Sequence, residues 1–359
     1  MSASLSEPLK VGLVGYGYAG KTFHAPLIAA VPELALTAVC SSDAAKVRAD
    51  WPDVAVHATP AELMARADLD LVVIATPNDT HHPLARAALL AGLHVVVDKP
   101  FTLTLAQGRE LVALARERGR VLSVFHNRRW DGDFLTLKAL LARGALGRVV
   151  EMTSRHDRFR PQVRTRWRES AAPGAGLWFD LGPHLVDQAL QLFGRPRAIA
   201  LALDRTRDGA LADDWFHAQL RYDRLHVNLH AGMLVAASAP RFAVHGTLGS
   251  FVKDGLDAQE DALKQGVRPT WPPRPDWGID PGRATIVTRA DDGSASSTGV
   301  ALQPGAHMAF FAELAGAIRQ RGPNPVPPHE ALDVMALIEL GIASAAQRRE
   351  LELAPAAPH

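Results

Sequence analysis

The chain has 359 residues, of which 47% are hydrophobic and 21% are charged, and its formal net charge is +1. These values are ordinary for a globular protein long enough for two domains, and they exclude a strongly basic nucleic-acid-binding surface. No hydrophobic run approaches the roughly 20 residues that span a bilayer, Met1–Pro8 lacks the features of a signal peptide, and the single Cys40 excludes an intrachain disulfide. We therefore expect a cytoplasmic protein that binds neither nucleic acid nor a membrane.

The first third of the chain alternates short β-branched runs with segments of helical character. The predicted strands are Lys10–Val14, Leu36–Cys40, Val54–Val56, Leu71–Ala75, His94–Val97 and Val121–Phe125. The predicted helices are Thr22–Ala30, Ala44–Ala49, Ala61–Ala67, His82–Ala91 and Leu105–Arg118. This alternation predicts an α/β fold with a doubly wound parallel sheet and right-handed crossovers. The strands are continuous apolar runs, which indicates that both faces of the sheet are covered.

After His126 the pattern changes to strand-like stretches joined by turn residues, which favours an antiparallel sheet. The predicted strands are Val149–His156, Ala198–Asp204, His217–Tyr222, Leu225–Ala231, Arg241–His245 and Ser250–Val252. The other predicted segments are helices over Phe134–Ala142, Pro183–Phe193, Gly305–Arg321 and His329–Gln347, a surface loop over Lys264–Gly282 and a polar turn over Asp291–Thr298. We expect residues 1–126 to bind a dinucleotide and residues 127–359 to form an α+β domain, whose C-terminal helices can pack back on the first domain.

A glycine motif follows the first predicted strand and precedes the first predicted helix, which is the order that gives such a motif its meaning. Gly15 permits a tight turn, Gly17 lets the backbone approach a pyrophosphate, and Gly20 lets the helix pack closely on the strand. The N-terminus of the helix offers its N–H groups and the positive end of its dipole to the phosphates. The motif therefore predicts a dinucleotide site.

The end of the second strand bears on the choice of cofactor. NAD-specific folds place an acidic residue here, where it accepts hydrogen bonds from the ribose 2′-hydroxyl, but this chain has Ser41 and Ser42, with Lys46 a turn later. Because hydroxyls and a lysine accept a 2′-phosphate that a carboxylate would repel, we favour NADP(H) over NAD(H). Asp43 is expected to cap the next helix. A register shift of two residues would instead make it the ribose ligand and reverse the preference.

Two further strand ends place polar residues at the same carboxyl edge of the sheet, where ligands of α/β proteins bind. After the fourth strand, Thr76 or Asn78 could contact the cofactor, while Asp79 or Thr80 could equally cap the next helix. After the fifth strand, Lys99 could face a cleft, or it could lie in solvent before a proline turn.

A second candidate site lies in the glycine-rich segment 174–184. The glycines predict a flexible loop, and Pro183 suits the first position of a helix. His184 would then lie in the first turn, where the positive end of the helix disfavours protonated imidazole and lets the ring act as a base. Asp180 could orient His184 or hold a substrate hydroxyl. Alternatively, Asp180 only caps the helix and His184 only packs.

Two polar segments could shape a substrate pocket. His126 and Asn127 follow the sixth strand at the ligand edge, and Arg164, Trp167 and Arg168 lie in a basic loop before the glycine-rich segment. Arginine side chains could bind phosphate or polyol hydroxyls, and aromatic rings commonly stack on sugar faces. An arginine-rich loop is, however, more often a solvated or interface surface.

Together these motifs resemble the Gfo/Idh/MocA oxidoreductase family over essentially the whole chain. The resemblance rests on Gly15-x-Gly17-x-x-Gly20, Ala75-Thr76-Pro77-Asn78 with His81, Asp98-Lys99-Pro100 and Asp180-x-x-x-His184. Segments 121–131 and 180–192 are most similar to a bacterial subgroup that includes NADP-dependent scyllo-inositol dehydrogenases. The resemblance implies a Rossmann domain and a C-terminal domain whose open, mainly antiparallel sheet builds a homodimer or homotetramer.

The resemblance also implies residue roles. Lys99, Asp180 and His184 would form a hydride-transfer site in which His184 takes a hydroxyl proton, Lys99 hydrogen-bonds the same oxygen, and Asp180 positions His184 or a neighbouring hydroxyl. No metal is required, because Lys99 supplies the electrophile. The full set of predicted cofactor contacts is Gly15, Tyr16, Gly17, Ala19, Gly20, Ser41, Ser42, Lys46, Thr76, Pro77, Asn78, His81, Asp98 and Lys99. Asp98 stands where the family usually has Glu, which shortens its reach by one methylene.

The sequence therefore leads to one main hypothesis and two alternatives. The main hypothesis is an NADP-dependent dehydrogenase of a polyol, an inositol or a sugar. One alternative is a non-catalytic nucleotide sensor on the same fold, although Lys99, Asp180 and His184 would be superfluous in a sensor. The other is a reductase of a non-sugar carbonyl, against which the hydrophilic loop 155–168 favours a hydroxylated substrate. Fold analogy alone does not name the substrate.

Overall fold

The computed structural model describes residues 7–237 and 239–355, which fall into two units. The first unit comprises 7–130, Gln259–Trp277 and Ala306–Leu332, and the second comprises the remaining described residues. The first unit therefore contains two segments that lie far beyond the predicted boundary after residue 126.

The first unit is built around a six-stranded sheet of short apolar strands. Its strands are β1 (Leu9–Val14), β2 (Leu34–Cys40), β3 (Ala55–His57), β4 (Leu71–Ile74), β5 (His94–Asp98) and β6 (Leu122–Phe125). They pair in parallel in the order β3-β2-β1-β4-β5-β6, so the direction of winding reverses between β1 and β4. Every residue of β4 is buried, as expected when both faces of a sheet are covered. The predicted parallel fold is confirmed.

Several helices begin at the capping residues that the sequence provides. The helices are α1 (Ala25–Ala29), α2 (Ala44–Asp50), α3 (Pro60–Met64), α4 (His81–Leu90), α5 (Leu105–Glu117), α6 (Gly132–Ala142), α7 (Leu177–Phe193), α8 (Gln259–Lys264), α9 (Ala309–Ile318) and α10 (Pro328–Gln347). Thr59 accepts a hydrogen bond from the Glu62 N–H, and Thr104 forms a capping box with Gln107. A π-helical turn over Gly20–His24 leads into α1. Among the residues described, no helix has the length and hydrophobicity to cross a bilayer.

An aromatic cluster explains why α9 belongs to the first unit although it lies late in the sequence. The ring of Phe125, the last residue of β6, lies 5.0 Å from that of Phe310 and 5.5 Å from that of Phe311. All three rings are buried. Large aromatic side chains contribute strongly to a core, so a segment of the C-terminal third completes the first unit.

The second unit is built on a nine-stranded, mainly antiparallel sheet. Its strands are β7 (Val149–Arg155), β8 (Ala198–Asp204), β9 (Trp215–Arg221), β10 (His226–Gly232), β11 (Phe242–Gly246), β12 (Ser250–Lys253), β13 (Ala284–Arg289), β14 (Ala295–Gly299) and β15 (Leu351–Glu352). Their order is β14-β13-β12-β11-β7-β10-β9-β8-β15, and only β7 and β10 pair in parallel. The mainly antiparallel second sheet is confirmed.

The predicted polar turn over Asp291–Thr298 is present only in its first part, because β14 begins at Ala295. The segment lies largely in a hairpin in which β13 pairs with β14, and the chain reverses near Gly293, whose φ is +82°. Every residue of β14 is exposed. A strand with no buried side has no apolar alternation, so the periodicity that predicts strands is missing there.

Helix α7 covers one face of the second sheet. The ring of Trp178 lies 5.0 Å from that of Phe216 on β9, and its indole N–H donates to the carbonyl oxygen of Ile338 at 3.1 Å. Buried and more exposed residues alternate along β9. This alternation places His217 and Gln219 on the opposite face of the sheet.

Candidate active site

The glycine loop after β1 fits a dinucleotide. Gly15 has a φ of +97°, and a Cβ at this position would lie 2.5 Å from the carbonyl oxygen of Ala75. A Cβ on Gly20 would overlap the carbonyl oxygen of Gly15, whereas a Cβ on Gly17 would meet nothing within 4 Å. Gly15 and Gly20 are therefore required by the protein's own packing. Gly17 leaves open space of the kind that a pyrophosphate needs.

The end of β2 carries two hydroxyls and an ammonium group. The carboxylate of Asp43 caps α2 by accepting from the Lys46 N–H at 2.9 Å, and Ser41 Oγ accepts from the Asp43 N–H at 3.1 Å. The ammonium group of Lys46 donates to the carbonyl oxygen of Tyr16 at 3.1 Å. Asp43 thus takes the capping role that was one of its two predicted alternatives. Ser41 and Ser42 remain at the strand end where a ribose would bind.

The side chain of Tyr16 is part of the packing beside the glycine loop. Its hydroxyl donates to Asp50 Oδ2 at 2.8 Å, and the ammonium group of Lys21 lies 2.8 Å from the same oxygen. Burial and the Asp50 carboxylate raise the pKa of Tyr16. Tyr16 was predicted as a cofactor contact, and the whole residue is only 4% exposed. Its side chain therefore serves the packing beside the glycine loop.

His81 joins the segments that follow β4 and β5. Its Nδ1 lies 2.8 Å from the carbonyl oxygen of Pro100, and its Nε2 lies 3.0 Å from that of Thr76. The ring has no exposed surface, and burial lowers its pKa. A neutral imidazole has one N–H, so the ring donates to one of these two carbonyl groups. Because the ring is fully buried between the two loops, the prediction that His81 contacts the cofactor is corrected. Asn78, also predicted, is 4% exposed.

Lys99 directly follows β5, at the same carboxyl edge of the sheet as the glycine loop, with β4 between the two strands. Its backbone N–H donates to Asp98 Oδ1 at 2.8 Å, and Nε2 of His24 lies 3.7 Å from that oxygen. Burial alone would raise the pKa of Asp98, but His24, Lys99 and His81 hold it at about 2. Asp98 is therefore a buried carboxylate that anchors the backbone of Lys99.

The segment after β6 contributes packing as well as polar groups to the first unit. Arg128 donates to Glu260 Oε2 at 2.7 Å, and Arg129 donates to Glu330 Oε2 at 2.5 Å. His126, a predicted substrate residue, is only 1% exposed. The arginines next to it thus bind carboxylates of the same unit. Asn127, the other predicted substrate residue here, is half-buried.

The helix that carries His184 begins earlier than predicted. It starts at Leu177, with Pro183 inside it, so His184 lies beyond the first turn. The prediction that the positive helix end keeps His184 neutral is therefore wrong. The Trp178 N–H donates to Asp213 Oδ2 at 2.7 Å, and Gly176 before the helix has a φ of +100°. The capping carboxylate thus comes from a distant part of the chain, and no local pattern indicates it.

Asp180 lies in the first turn of α7 among arginines. The Nε of Arg168 lies 3.5 Å and a terminal nitrogen of Arg158 lies 4.0 Å from its carboxylate oxygens. The guanidinium of Arg168 also stacks on the ring of Trp167, 4.5 Å from its centre. The second unit thus brings together three predicted residues, Asp180, Trp167 and Arg168. His184 follows Asp180 by four residues, which places both on one face of α7.

Glu169, which no sequence motif indicated, organises the basic loop. It accepts from the Arg164 N–H at 3.0 Å and from Arg166 Nε at 2.6 Å, and Arg207 lies 3.0 Å away. Burial alone would raise the pKa of Glu169, but the hydrogen bonds of Arg164 and Arg166 and the charges of Arg166 and Arg207 lower it. The loop that contains the predicted substrate residues is therefore ordered by internal ion pairs.

The three predicted catalytic residues are distributed over the two units. Lys99 belongs to the first unit with the predicted cofactor contacts, and Asp180 and His184 belong to the second. Each unit thus contains some of the residues that are predicted to take part in hydride transfer. The joint action of the three side chains stays a prediction.

Two family models match the chain, one for each of the two predicted domains. Residues 9–126 match the NAD-binding Rossmann fold of an oxidoreductase family that is designated GFO_IDH_MocA, and residues 138–353 match its C-terminal alpha/beta domain. Together these matches cover most of the chain.

Individual proteins are similar over nearly the full length. YdgJ of Escherichia coli strain K12, named an oxidoreductase, is 55% identical over 98% of this chain and 100% of its own. IolW of Bacillus subtilis strain 168, named scyllo-inositol 2-dehydrogenase (NADP(+)), is 36% identical over 97% of this chain and 96% of its own. The solved structure of YPO2259 from Yersinia pestis matches with a TM-score of 0.94 at 51% identity, covering 99% of this chain and 100% of that one.

Proposed function

The chain belongs to the Gfo/Idh/MocA family of oxidoreductases, and we propose that it is an NADP-dependent dehydrogenase. Its proposed substrate is a polyol, with an inositol as the first candidate, or a sugar. One observation carries the proposal. Lys99 lies at the carboxyl end of β5, at the same sheet edge as the glycine loop. In doubly wound folds this edge receives the dinucleotide, so a lysine there is placed for chemistry at the nicotinamide end.

The cofactor would be held by the first unit. The N–H groups around Gly17 would bind the pyrophosphate, and the hydroxyls of Ser41 and Ser42 with the ammonium group of Lys46 would surround the 2′-phosphate. When bound, the nicotinamide supplies or accepts the hydride. The preference for NADP(H) is supported by the serines at positions 41 and 42, which would not repel a phosphate, and by the capping role of Asp43, whose carboxylate binds the Lys46 N–H. IolW, a relative, is named for the same cofactor.

Three side chains would move the proton and stabilise charge. In the direction of alcohol oxidation, His184 takes the hydroxyl proton as general base. Lys99 donates a hydrogen bond to the same oxygen and stabilises its developing negative charge, an effect of about 3 kcal/mol in comparable sites. Asp180 positions His184 or accepts a hydrogen bond from a neighbouring hydroxyl. Carbonyl reduction uses the same groups in the reverse order.

A hydroxylated substrate fits the groups around Asp180. Arg168, held between Asp180 and Trp167, offers hydrogen-bond donors, and the ring of Trp167 offers an apolar face. Such a combination suits a polyol ring, which has hydroxyl edges and C–H faces. Arg164 in the same loop could add a further donor.

We also propose that the enzyme assembles as a homodimer or homotetramer through its second sheet. The face that carries His217 and Gln219 is polar and lies opposite α7, and a second copy would cover it. Light scattering coupled to size-exclusion chromatography tests this proposal directly, since a monomer at working concentration would contradict it.

The experiment that tests the function is an absorbance screen of inositols, aldoses and other polyols with NADP⁺ and NAD⁺ at 340 nm (the reduced-nicotinamide band). We expect turnover with at least one polyol and a higher kcat/KM with NADP⁺. Tight binding of NADPH without turnover of any polyol or sugar would contradict the proposal and favour the nucleotide sensor.

A further inference from the structure

A buried arginine in the second unit connects the helix of His184 to the sheet beneath it. Arg241 directly precedes β11 and is 2% exposed. Its guanidinium stacks 4.0 Å from the centre of the Phe242 ring. One terminal nitrogen donates to Ser154 Oγ at 2.5 Å and to the carbonyl oxygen of Arg155 at 3.2 Å. The planar guanidinium is thus fixed in one orientation by β7.

The other terminal nitrogen of Arg241 reaches α7. It donates to Gln188 Oε1 at 2.6 Å, which turns the amide oxygen of Gln188 toward the arginine and its NH2 group away from it. Gln188 has no exposed surface, and it follows His184 by four residues. Residues four apart lie on the same face of a helix as neighbours. Arg241 therefore fixes the side chain that lies one turn from the predicted base.

A buried carboxylate lies near the charge of Arg241. Nε of Arg241 lies 3.9 Å from Asp133 Oδ2, and within residues 7–237 and 239–355 neither carboxylate oxygen of Asp133 has a hydrogen-bond donor. Burial raises the pKa of Asp133; Arg241 and Lys253 oppose this shift, and the carboxylates of Asp131 and Asp257 add to it. Arg241 thus carries a buried charge, and its terminal nitrogens donate hydrogen bonds to both the sheet and α7, at Ser154 and Gln188.

We propose that Arg241 is a positioning residue for His184, acting through Gln188 and helix α7; this rests on the proposed function, in which His184 is the general base. The arrangement holds the imidazole in the orientation in which it receives the hydroxyl proton. Loss of Arg241 leaves cofactor and substrate contacts in place and loosens the base. A small displacement of a catalytic group costs on the order of 100-fold in rate.

The test compares Arg241→Met, Arg241→Lys and Gln188→Met with the wild type. We expect Arg241→Met to lower kcat about 10- to 100-fold with a much smaller change in KM, and to shift the apparent pKa in the pH profile of kcat/KM. Arg241→Lys keeps the charge and should restore part of kcat. The double variant Arg241→Met/Gln188→Met should lower kcat no further than the more damaging single substitution does, because both substitutions break the same hydrogen bond between Arg241 and Gln188.

Lys253→Met is the matched control. Lys253 is fully buried in the same unit, and its ammonium group lies 2.7 Å from Asp280 and binds the carbonyl oxygens of Asp254 and Gly255. This variant also removes a buried cation, so it should lower the thermal midpoint without changing the pH profile. If Arg241→Met and Lys253→Met changed stability alike and both kept the native pH profile, Arg241 would be structural only.

A measurement without turnover separates this inference from the proposed function. The titration of the His184 imidazole is followed by NMR of histidine-labelled full-length protein, with His184→Asn to assign the resonance. We expect the titration midpoint to shift in Arg241→Met and Gln188→Met but not in Lys253→Met. This readout decides the question even if no polyol is turned over, and Gln188→Met decides it if Arg241→Met does not fold. An unchanged midpoint in both variants would overturn the inference.

Discussion

Oδ1 of Asp98 lies 3.7 Å from Nε2 of His24, and both side chains are buried. The backbone N–H of Lys99 donates to the same carboxylate oxygen. His24 lies in the π-helical turn before α1, and its ring lies 4.5 Å from that of Phe125. The buried imidazole thus lies beside the carboxylate that accepts the backbone hydrogen bond of Lys99.

Replacing Asp98 by Asn tests this pair through its pH dependence. The folded pKa of Asp98 is about 2 against 3.8 for the unfolded chain, so its stabilising effect is complete above the unfolded value and is lost as the pH falls toward the folded value. We expect Asp98→Asn to lower the free energy of unfolding by about 2 kcal/mol at neutral pH. Urea unfolding of both proteins should show the difference shrinking in acid. An equal difference at neutral and acidic pH would contradict the charge effect.

Replacing Lys99 by Ala tests the proposed electrophile. The variant loses the ammonium group that would stabilise the alkoxide, so turnover should fall by about 100-fold or more, while the affinity for NADPH, measured by fluorescence titration, stays nearly unchanged. Lys138→Ala removes an exposed lysine on α6 and serves as the control. A Lys99→Ala enzyme of near-native rate would remove Lys99 from the mechanism.

Replacing Ser41 by Asp tests the cofactor preference. A carboxylate at this position would repel a 2′-phosphate and accept hydrogen bonds from a 2′-hydroxyl. The variant should therefore lose affinity for NADPH more than for NADH, as measured by binding of each reduced cofactor. Ser41→Ala separates loss of the hydroxyl from gain of the charge. Unchanged selectivity in Ser41→Asp would mean that position 41 does not face the ribose.

Replacing Asp213 by Asn tests the cap of α7. Burial raises the pKa of Asp213 to about 6, although the N–H groups of Trp178 and Leu177 oppose this shift. The folded state then binds more protons than the unfolded state between 3.8 and about 6, so the stability that Asp213 contributes falls as the pH rises through this window.

Asp213→Asn keeps an acceptor for the Trp178 N–H and should lose this pH dependence. Asp213→Ala removes the acceptor that caps α7 and should lower the free energy of unfolding by about 1 kcal/mol. Thermal unfolding at several pH values distinguishes the two variants. Parallel pH curves for wild type and Asp213→Asn would show that the carboxyl group does not titrate in that window.

The sequence predicted those features that depend on neighbours along the chain. The alternation of apolar runs and capped helices specified the parallel sheet, because strand and helix periodicity are local. Gly15 and Gly20 were recognisable because the tight turn excludes a Cβ at both positions. The same locality explains the failures: β14 has no buried side and therefore no apolar alternation.

Features that join distant residues were decided only by the tertiary structure. Helix α7 starts at Leu177 because Asp213 caps it from across the second unit, and the side chain of Gln188 is set by Arg241. His81, whose motif suggested a cofactor contact, is buried between two loops. The sequence by itself determined which residue types could perform hydride-transfer chemistry. The tertiary structure decided which of these residues pack in the interior instead of facing a ligand, because a buried polar group takes its hydrogen-bond partner from whichever segment lies beside it.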